Sequence, residues 1–244
     1  MTTASGPTRL ATVLWWPLGV ALVAWRYTWR TTPLHRTEET GTAEDLPGFA
    51  DDVPGGRNQG IADGVGPLLH RTYSILIVGS SMTAPELLEV VADGLNRASP
   101  EMAVFHKTRG QRGPVRLGDE LVVRMPGPWD GPVRVTGKDS TSFRLSTLGG
   151  HLEAGHIEFR TTDVDGGVLF EIESWCRAGD RLSDLLYNRV GFAKEVQLNM
   201  WTHFCVRTAA LAGGRHRGGV TIRTRRLDWT PAEFESRRRT GRAR

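Results

Sequence analysis

The chain has 244 residues, of which 39% are hydrophobic and 24% are charged, so it is long enough for one folded domain with additional segments. It contains only two cysteines, Cys176 and Cys205, which excludes a disulfide-rich scaffold and a cysteine-based metal site. The formal net charge is +4, but it is unevenly spread: residues 38–63 are acidic and residues 215–244 are rich in arginine.

The first 30 residues contain an uncharged apolar segment, Leu10–Trp25, which aromatic residues extend to Trp29. Its length is close to the roughly 20 residues that cross a bilayer as a helix. The segment is therefore predicted to be a single-pass anchor in the cell membrane. One arginine, Arg9, precedes it and several follow it, so the positive-inside rule predicts that the following domain lies in the cytoplasm. The alternatives are a cleaved signal peptide and an interfacial hairpin that does not span the membrane.

Residues 31–60 combine Pro, Gly, Thr and acidic residues without hydrophobic periodicity, which predicts a linker. We then expect a folded domain over residues 61–213 and a basic tail over residues 214–244. Within the tail, Val220–Arg226 is compatible either with a short added strand or with a segment that lies over the body of the domain. The arginines are typical of attraction to an anionic membrane surface, and the alternatives are a nucleic-acid contact or a solvated end.

Seven segments of the expected domain have the composition or alternation of β-strands. They are Thr72–Val78, Met102–Lys107, Glu120–Met125, Pro132–Lys138, Ser142–Leu148, His156–Thr162 and Val168–Arg177. After the first of them, Thr83, Pro85 and Glu86 give the capping-box start of a helix predicted over Pro85–Leu95. Connections between the later strands are short, which favours an antiparallel meander.

A long amphipathic helix is predicted over Arg181–Ala212, followed by a Gly-Gly stop signal. Its apolar stripe needs a broad apolar surface, and the apolar faces of the strands supply one. The predicted fold class is therefore α+β. It consists of a curved antiparallel sheet of about seven strands wrapped on a long C-terminal helix, with an N-terminal transmembrane helix before it.

This order of strand, short helix, six strands and long helix is similar to the helix-grip fold of the START-like superfamily, which includes birch-pollen-allergen proteins and polyketide cyclases. Local motifs resemble an uncharacterised actinobacterial family of that superfamily, over about Ile61–Leu211. These motifs are Asp63–Tyr73, Met125–Val133, Thr147–Gly155, Glu171–Trp175 and Ala193–Gln197. The resemblance implies a cavity between sheet and helix that often holds an apolar ligand, and it specifies no reaction.

Residues from several strands and from the long helix are predicted to bind that ligand. They are Trp129, Phe143, Phe159, Phe170, Ile172, Arg189, Met200, Phe204 and Arg207. The two arginines fall on the line of the apolar stripe, where a charge needs a carboxylate or a polar ligand head. Glu171 and Glu173 are the candidate carboxylates, and arginines that reach out at the helix margin are the alternative. For the tryptophans, Trp129 and Trp175, ordinary packing is the alternative.

The sequence predicts no catalytic residue, metal site or cofactor. It has no nucleophile elbow, phosphate loop or dinucleotide fingerprint. His151 and His156 flank Glu153 in a glycine-bordered turn, which favours a polar hairpin over a metal site because no third ligand is adjacent.

The predicted function is binding or sequestration of an apolar or amphipathic small molecule by a membrane-anchored domain. Contact with the lipid bilayer is expected through Leu10–Trp29 and the basic tail, and no specific nucleic acid is expected. Two other classes of function remain as alternatives. One is a cyclase- or hydrolase-like enzyme that uses the same cavity, and the other is a partner-docking or nucleic-acid module that uses the tail.

Overall fold

The computed structural model of the chain describes residues 32–47, 57–101, 103–125, 130–180 and 192–228. These residues form a nine-stranded sheet with helices on one side. The strands are β1 Leu34–Thr40, β2 Val65–Val78, β3 Val104–Arg109, β4 Glu120–Arg124, β5 Asp130–Lys138, β6 Ser142–Thr147, β7 Glu153–Val164, β8 Gly167–Ala178 and β9 Arg215–Leu227. The helices are α1 Ala84–Asp93, α2 Leu95–Ala98 and α3 Phe192–Leu211.

The strand order across the sheet is β1-β9-β2-β8-β7-β6-β5-β4-β3. All neighbouring pairs are antiparallel except β1 and β9, which are parallel. The seven predicted strands correspond to β2–β8, in which β3–β8 form a meander and β2 pairs with β8. The predicted α+β class, with a curved sheet packed on a helix, is confirmed. The prediction of about seven strands, all antiparallel, is wrong because β1 and β9 extend the sheet.

Both added strands lie beyond the domain limits predicted at residues 61 and 213. β9 follows α3 and pairs antiparallel with β2, so of the two alternatives for residues 220–226 the added strand describes the structure, and it is longer than expected. β1 pairs with β9, so the prediction of a linker over residues 31–60 is wrong for Leu34–Thr40. The reason is physical: Leu34 is the only apolar residue of β1 and the other six residues are exposed, which leaves no hydrophobic alternation to detect.

Helix α1 begins as its capping sequence predicts. The Glu86 carboxylate accepts hydrogen bonds from the Thr83 backbone N–H at 2.8 Å and from the Thr83 hydroxyl at 2.9 Å, and Pro85 lies in the first turn. Leu87 and Val91 are among the residues that the helix buries in the core.

The main core lies between the helices and one face of the sheet, which we call the helix-facing side; the opposite face is the outer side. Alternation along β8 shows the division: Phe170 and Ile172 belong to the main core, whereas Trp175 belongs to a smaller cluster on the outer side. The prediction of a long helix is confirmed over Phe192–Leu211, and its first part, residues 181–191, lies outside the described residues.

No helix in the described part of the chain is long and apolar enough to cross a membrane. The predicted anchor, residues 10–29, lies outside the described residues, and so does the end of the basic tail from residue 229. The anchor and the cytoplasmic location of the domain stay predictions.

A turn after β1 covers the small outer cluster, which consists of Leu46, Ile61, Leu68, Trp175 and Leu227. Asp45 holds this turn in place. Its carboxylate accepts hydrogen bonds from the Thr42 backbone N–H at 2.7 Å and from Arg225 Nη1 at 2.6 Å. Its backbone carbonyl accepts one from Trp175 Nε1 at 2.9 Å. Trp175 therefore packs on the outer side of the sheet, away from the predicted ligand.

His70 of β2 completes the outer cluster. Its ring stacks on Trp175 with the centroids 4.9 Å apart. Its Nδ1 lies 3.3 Å from the Asp45 carboxylate and its Nε2 lies 2.8 Å from the Glu173 carboxylate. The segment expected to be a linker is thus joined to β2, β8 and β9 by charged and aromatic contacts.

We expect the Asp45 contacts to stabilise the fold in a pH-dependent way. Burial acts to raise the pKa of Asp45, but hydrogen bonds from Thr42 and Arg225 outweigh it and hold the pKa below its ordinary value. The contribution is therefore present above about pH 4 and is lost as the pH falls through the lowered pKa. Asp45→Asn should lower the free energy of unfolding by about 1–3 kcal/mol at pH 7.

Urea denaturation at pH 7 and at pH 3 measures this effect. The difference between Asp45→Asn and the unmodified protein should shrink at the lower pH, and Glu44→Gln, at the exposed neighbouring position, should change little at either pH. A loss of the same size at both pH values would contradict the assignment to the carboxylate.

Candidate functional site

Aromatic rings from the sheet and from α3 form one cluster on the helix-facing side. Phe143 and Phe159 stack with their centroids 4.6 Å apart. Phe204 of α3 lies 5.4 Å from Phe159 and 6.2 Å from Phe170. Trp201 lies 5.6 Å from Phe159 and 5.9 Å from Phe204. The phenylalanines are fully buried, so the cluster is an apolar wall that joins β6, β7, β8 and α3.

The structure brings most of the predicted site residues to this wall. Ile172 and Met200 lie in the same core as the phenylalanines at positions 143, 159, 170 and 204. Their role in ligand binding stays a prediction. Trp129 and Arg189 lie outside the described residues.

Arg207 does not lie where the sequence predicted. Phe204, Cys205 and Thr208 take the buried positions of this part of α3, and Arg207 is exposed. The prediction that Arg207 faces the sheet is wrong, and the alternative of an arginine at the helix margin describes its position.

The two carboxylates predicted as partners for the helix arginines lie on the other face of the sheet. Because successive residues of a strand point to opposite faces, Glu171 and Glu173 are on the outer side while Ile172 faces the helix. Glu173 lies 2.8 Å from His70 Nε2 and 3.4 Å from an Arg160 nitrogen. The predicted pairing with Arg207 is therefore wrong, and the predicted pairing with Arg189 lies outside the described residues.

An arginine that no sequence pattern pointed to, Arg71 of β2, is buried on the helix-facing side. Only 2% of its surface is exposed. Its Nη1 donates a hydrogen bond to Gln197 Oε1 of α3 at 2.5 Å, and Gln197 Nε2 donates one to Glu153 Oε2 at 2.8 Å. A polar chain of Arg71, Gln197 and Glu153 thus connects β2, α3 and β7. We call this chain with Tyr73 the polar end of the site.

The Tyr73 hydroxyl and Trp201 Nε1 are among the buried polar atoms that make no hydrogen bond within the described residues. Tyr73 follows Arg71 by two residues and so lies on the same face of β2, and Trp201 lies one helical turn after Gln197. A buried donor without a partner costs about 1–3 kcal/mol. An acceptor oxygen from a bound molecule would remove that cost at either atom.

Tyr73 is in the protonated state that a hydrogen-bond donor requires. Burial raises the pKa of Tyr73 well above its ordinary value. The charge of Arg71 and the closeness of its side chain to the hydroxyl oppose this effect without reversing it, although the two groups do not have the geometry of a hydrogen bond. The hydroxyl therefore keeps its proton at neutral pH. It can donate a hydrogen bond to a ligand, but it is a poor general base.

The turn around His151 is confirmed as a polar hairpin. The Glu153 backbone N–H donates to His151 Nδ1 at 2.9 Å, and burial lowers the pKa of His151 to about 4, so the ring is neutral at pH 7. Within the described ranges, no three His, Cys, Asp or Glu side chains are grouped as metal ligands would be.

The sequence pattern of DUF1990, a domain of unknown function, matches residues 84–207, which is half of the chain. The chain belongs to the DUF1990 family. The resemblance to an uncharacterised family, predicted from the local motifs, is confirmed. No curated protein matches the chain.

Solved structures similar to this DUF1990 protein share little sequence with it. The KanY protein is 9% identical with a TM-score of 0.45, over 59% of this chain and 96% of its own. The di-domain ARO/CYC StfQ from the steffimycin biosynthetic pathway is 11% identical with a TM-score of 0.44, over 63% and 52%. Ara h 8.0201 is 12% identical with a TM-score of 0.42, over 59% and 99%. The fold assignment rests on the sheet and helix described above.

The aromatic cluster predicts a sharp difference between two substitutions on α3 of the DUF1990 domain. Phe204→Ala removes a ring that contacts three others and should lower the free energy of unfolding by about 3–5 kcal/mol. Arg207→Ala, three residues further on at an exposed position, should change it by less than about 0.5 kcal/mol. Urea denaturation followed by circular dichroism measures both, and equal effects would contradict the packing described here.

Proposed function

We propose that the DUF1990 domain binds an amphipathic small molecule between the sheet and α3. The observation that carries this proposal is that two buried polar groups, the Tyr73 hydroxyl and Trp201 Nε1, make no hydrogen bond within the described chain and lie in the same core as the buried phenylalanines. Such atoms are rare in native interiors, and a bound ligand is one physical explanation for them.

The two parts of the site suit the two parts of such a ligand. The rings of Phe159, Phe170 and Phe204 are buried against one another, so an apolar ligand chain has to part them and exchange ring contacts for ligand contacts. Each Å² of ligand surface that leaves water for this interior contributes about 25 cal/mol. Tyr73 at the polar end and Trp201 of the aromatic cluster, one helical turn after Gln197, each have a hydrogen bond to donate to an acceptor oxygen. The Arg71 charge favours an anionic head because electrostatic attraction is stronger in a buried site than in water.

Binding without reaction is the function that the chemistry of this end supports best. Tyr73 keeps its proton, and Arg71 and Gln197 form a hydrogen bond that fixes both side chains across the sheet and the helix. These groups recognise and orient a head group. Sequestration of an amphipathic molecule, expected from the sequence, is therefore the proposed activity.

Isothermal titration with dodecanoate and dodecanol tests the proposal. The two probes share an apolar chain and differ in the charge of the head. Arg71→Met should weaken dodecanoate binding about tenfold or more, by loss of a charge-assisted contact, and leave dodecanol binding nearly unchanged. Tyr73→Phe should weaken both probes several-fold and change the free energy of unfolding by less than about 1 kcal/mol, because the hydroxyl makes no hydrogen bond of good geometry in the described chain.

Arg223→Met is the matched control, since Arg223 is exposed on the outer side of β9. The control should bind both probes as the unmodified protein does. Absence of saturable binding of either probe, or equal weakening by Arg71→Met and Arg223→Met, would contradict the proposed site. Tyr73→Phe keeps the test decisive if Arg71→Met fails to fold.

A further inference from the structure

Strand β1 forms one edge of the nine-stranded sheet, and within the described part of the chain it pairs on one side only, with β9. Six of its seven residues are exposed. An edge strand of this kind presents backbone groups that can pair with a further strand. It contains no proline, and its register with β9 is continuous over its whole length, so the edge is regular.

The direction of the backbone groups follows from the hydrogen bonds to β9. The Val220 N–H donates to the Pro33 carbonyl at 3.0 Å, and the Gly41 N–H donates to the Arg226 carbonyl at 2.8 Å. The two residues that flank β1 in these bonds, Pro33 and Gly41, are both odd-numbered. Alternate residues of a strand direct their N–H and C=O groups to the same neighbouring strand. The even-numbered residues between 34 and 40 therefore direct theirs away from β9, toward the open edge.

The sequence of β1 is complementary to itself in one antiparallel register. With a two-fold axis at Thr37, Arg36 of one copy lies opposite Glu38 of the other, and His35 lies opposite Glu39. This register pairs even-numbered residues with even-numbered ones, as the backbone directions require. An axis at Arg36 or at Glu38 would place like charges opposite each other, which is destabilising.

We propose that β1 is the interface of a symmetric dimer in which two copies of this chain join their sheets edge to edge. The occupant of the edge is a second copy, because β1 supplies both the charges and their complements in the register that its backbone allows. Arg36 and Glu38 each take part in an interaction within their own chain, and the dimer adds a group of opposite charge beside each. The proposal is independent of ligand binding.

Charge reversal tests the register. Size-exclusion chromatography with light scattering, on the full chain in detergent, should give a protein mass about twice 26.9 kDa. Glu38→Arg and Arg36→Glu should each shift the protein to the monomer mass, because each places two like-charged pairs across the axis. An equimolar mixture of these two variants should recover the dimer mass, since every pair is then one arginine and one glutamate.

A monomeric unmodified protein, or a mixture that stays monomeric, would overturn the proposal. So would single variants that remain dimers, because the interface would then lie elsewhere.

A cross-link tests the position of the axis. In the proposed register the two Thr37 residues form a pair without mutual hydrogen bonds, whose Cα atoms lie about 4.5 Å apart, within the range of a disulfide. Thr37→Cys should give a covalent dimer under mild oxidation. His35→Cys, on the same face, should not, because its two copies are separated by four residues, about 13 Å. The native cysteines, Cys176 and Cys205, are buried. Equal cross-linking of both variants, or of neither, would overturn the register.

Discussion

Side-chain alternation along β2 is the constraint on which the rest of the structure depends. The strand is 14 residues long and pairs with β8 on one side and β9 on the other, so its two faces are fixed along most of its length. Arg71 and Tyr73 face the helix, whereas His70 of the same strand faces the outer side. A shift of one residue in the pairing would exchange these sets and remove both the polar end of the site and the outer cluster.

Groups that lower the stability of the fold lie close to groups that raise it around β2. Burial of the Arg71 charge is unfavourable, and the hydrogen bond to Gln197 offsets part of that cost while joining the strand to α3. The aromatic cluster stabilises the helix on the sheet without any polar contact. The Tyr73 hydroxyl and Trp201 Nε1 lower stability in the free protein. If the proposed ligand accepts their hydrogen bonds, its binding would also stabilise the folded domain.

The sequence predicted those parts of the fold that have periodic apolar residues. β4–β8, α1 and the described part of the long helix were recognised because their buried side chains recur at strand or helix spacing. β1 was missed because its side chains are mostly exposed. It is held in the sheet by backbone pairing with β9, which lies far along the chain. The site was predicted only in its apolar part. Its polar residues depend on tertiary contacts that local spacing does not encode.

Arg71 shows why the polar residues of the site were not predicted. The segment before the predicted start of β2 contains Gly66, with a positive φ of 75°, and Pro67, and the pairing with β8 shifts register between Val65 and Leu69. The strand was predicted from its β-branched and apolar run, which begins at Thr72, so Arg71 lay outside it. The error for Arg207 is different: a helical projection gives the width of the apolar stripe, but the sheet decides which residues at its margin are covered.

The central claim is that a ligand head group reaches the buried donors between the sheet and α3. Nuclear magnetic resonance of the indole N–H groups, in protein with ¹⁵N-labelled tryptophan, tests it most directly. Of the eight tryptophans, Trp201 and Trp175 are assigned by Trp201→Phe and Trp175→Phe. Saturating dodecanoate should shift the Trp201 signal, whose Nε1 gains an acceptor, and leave the Trp175 signal in place, because its Nε1 already donates to the Asp45 carbonyl on the outer side. A Trp201 signal that stays unchanged while the probe binds would contradict the account.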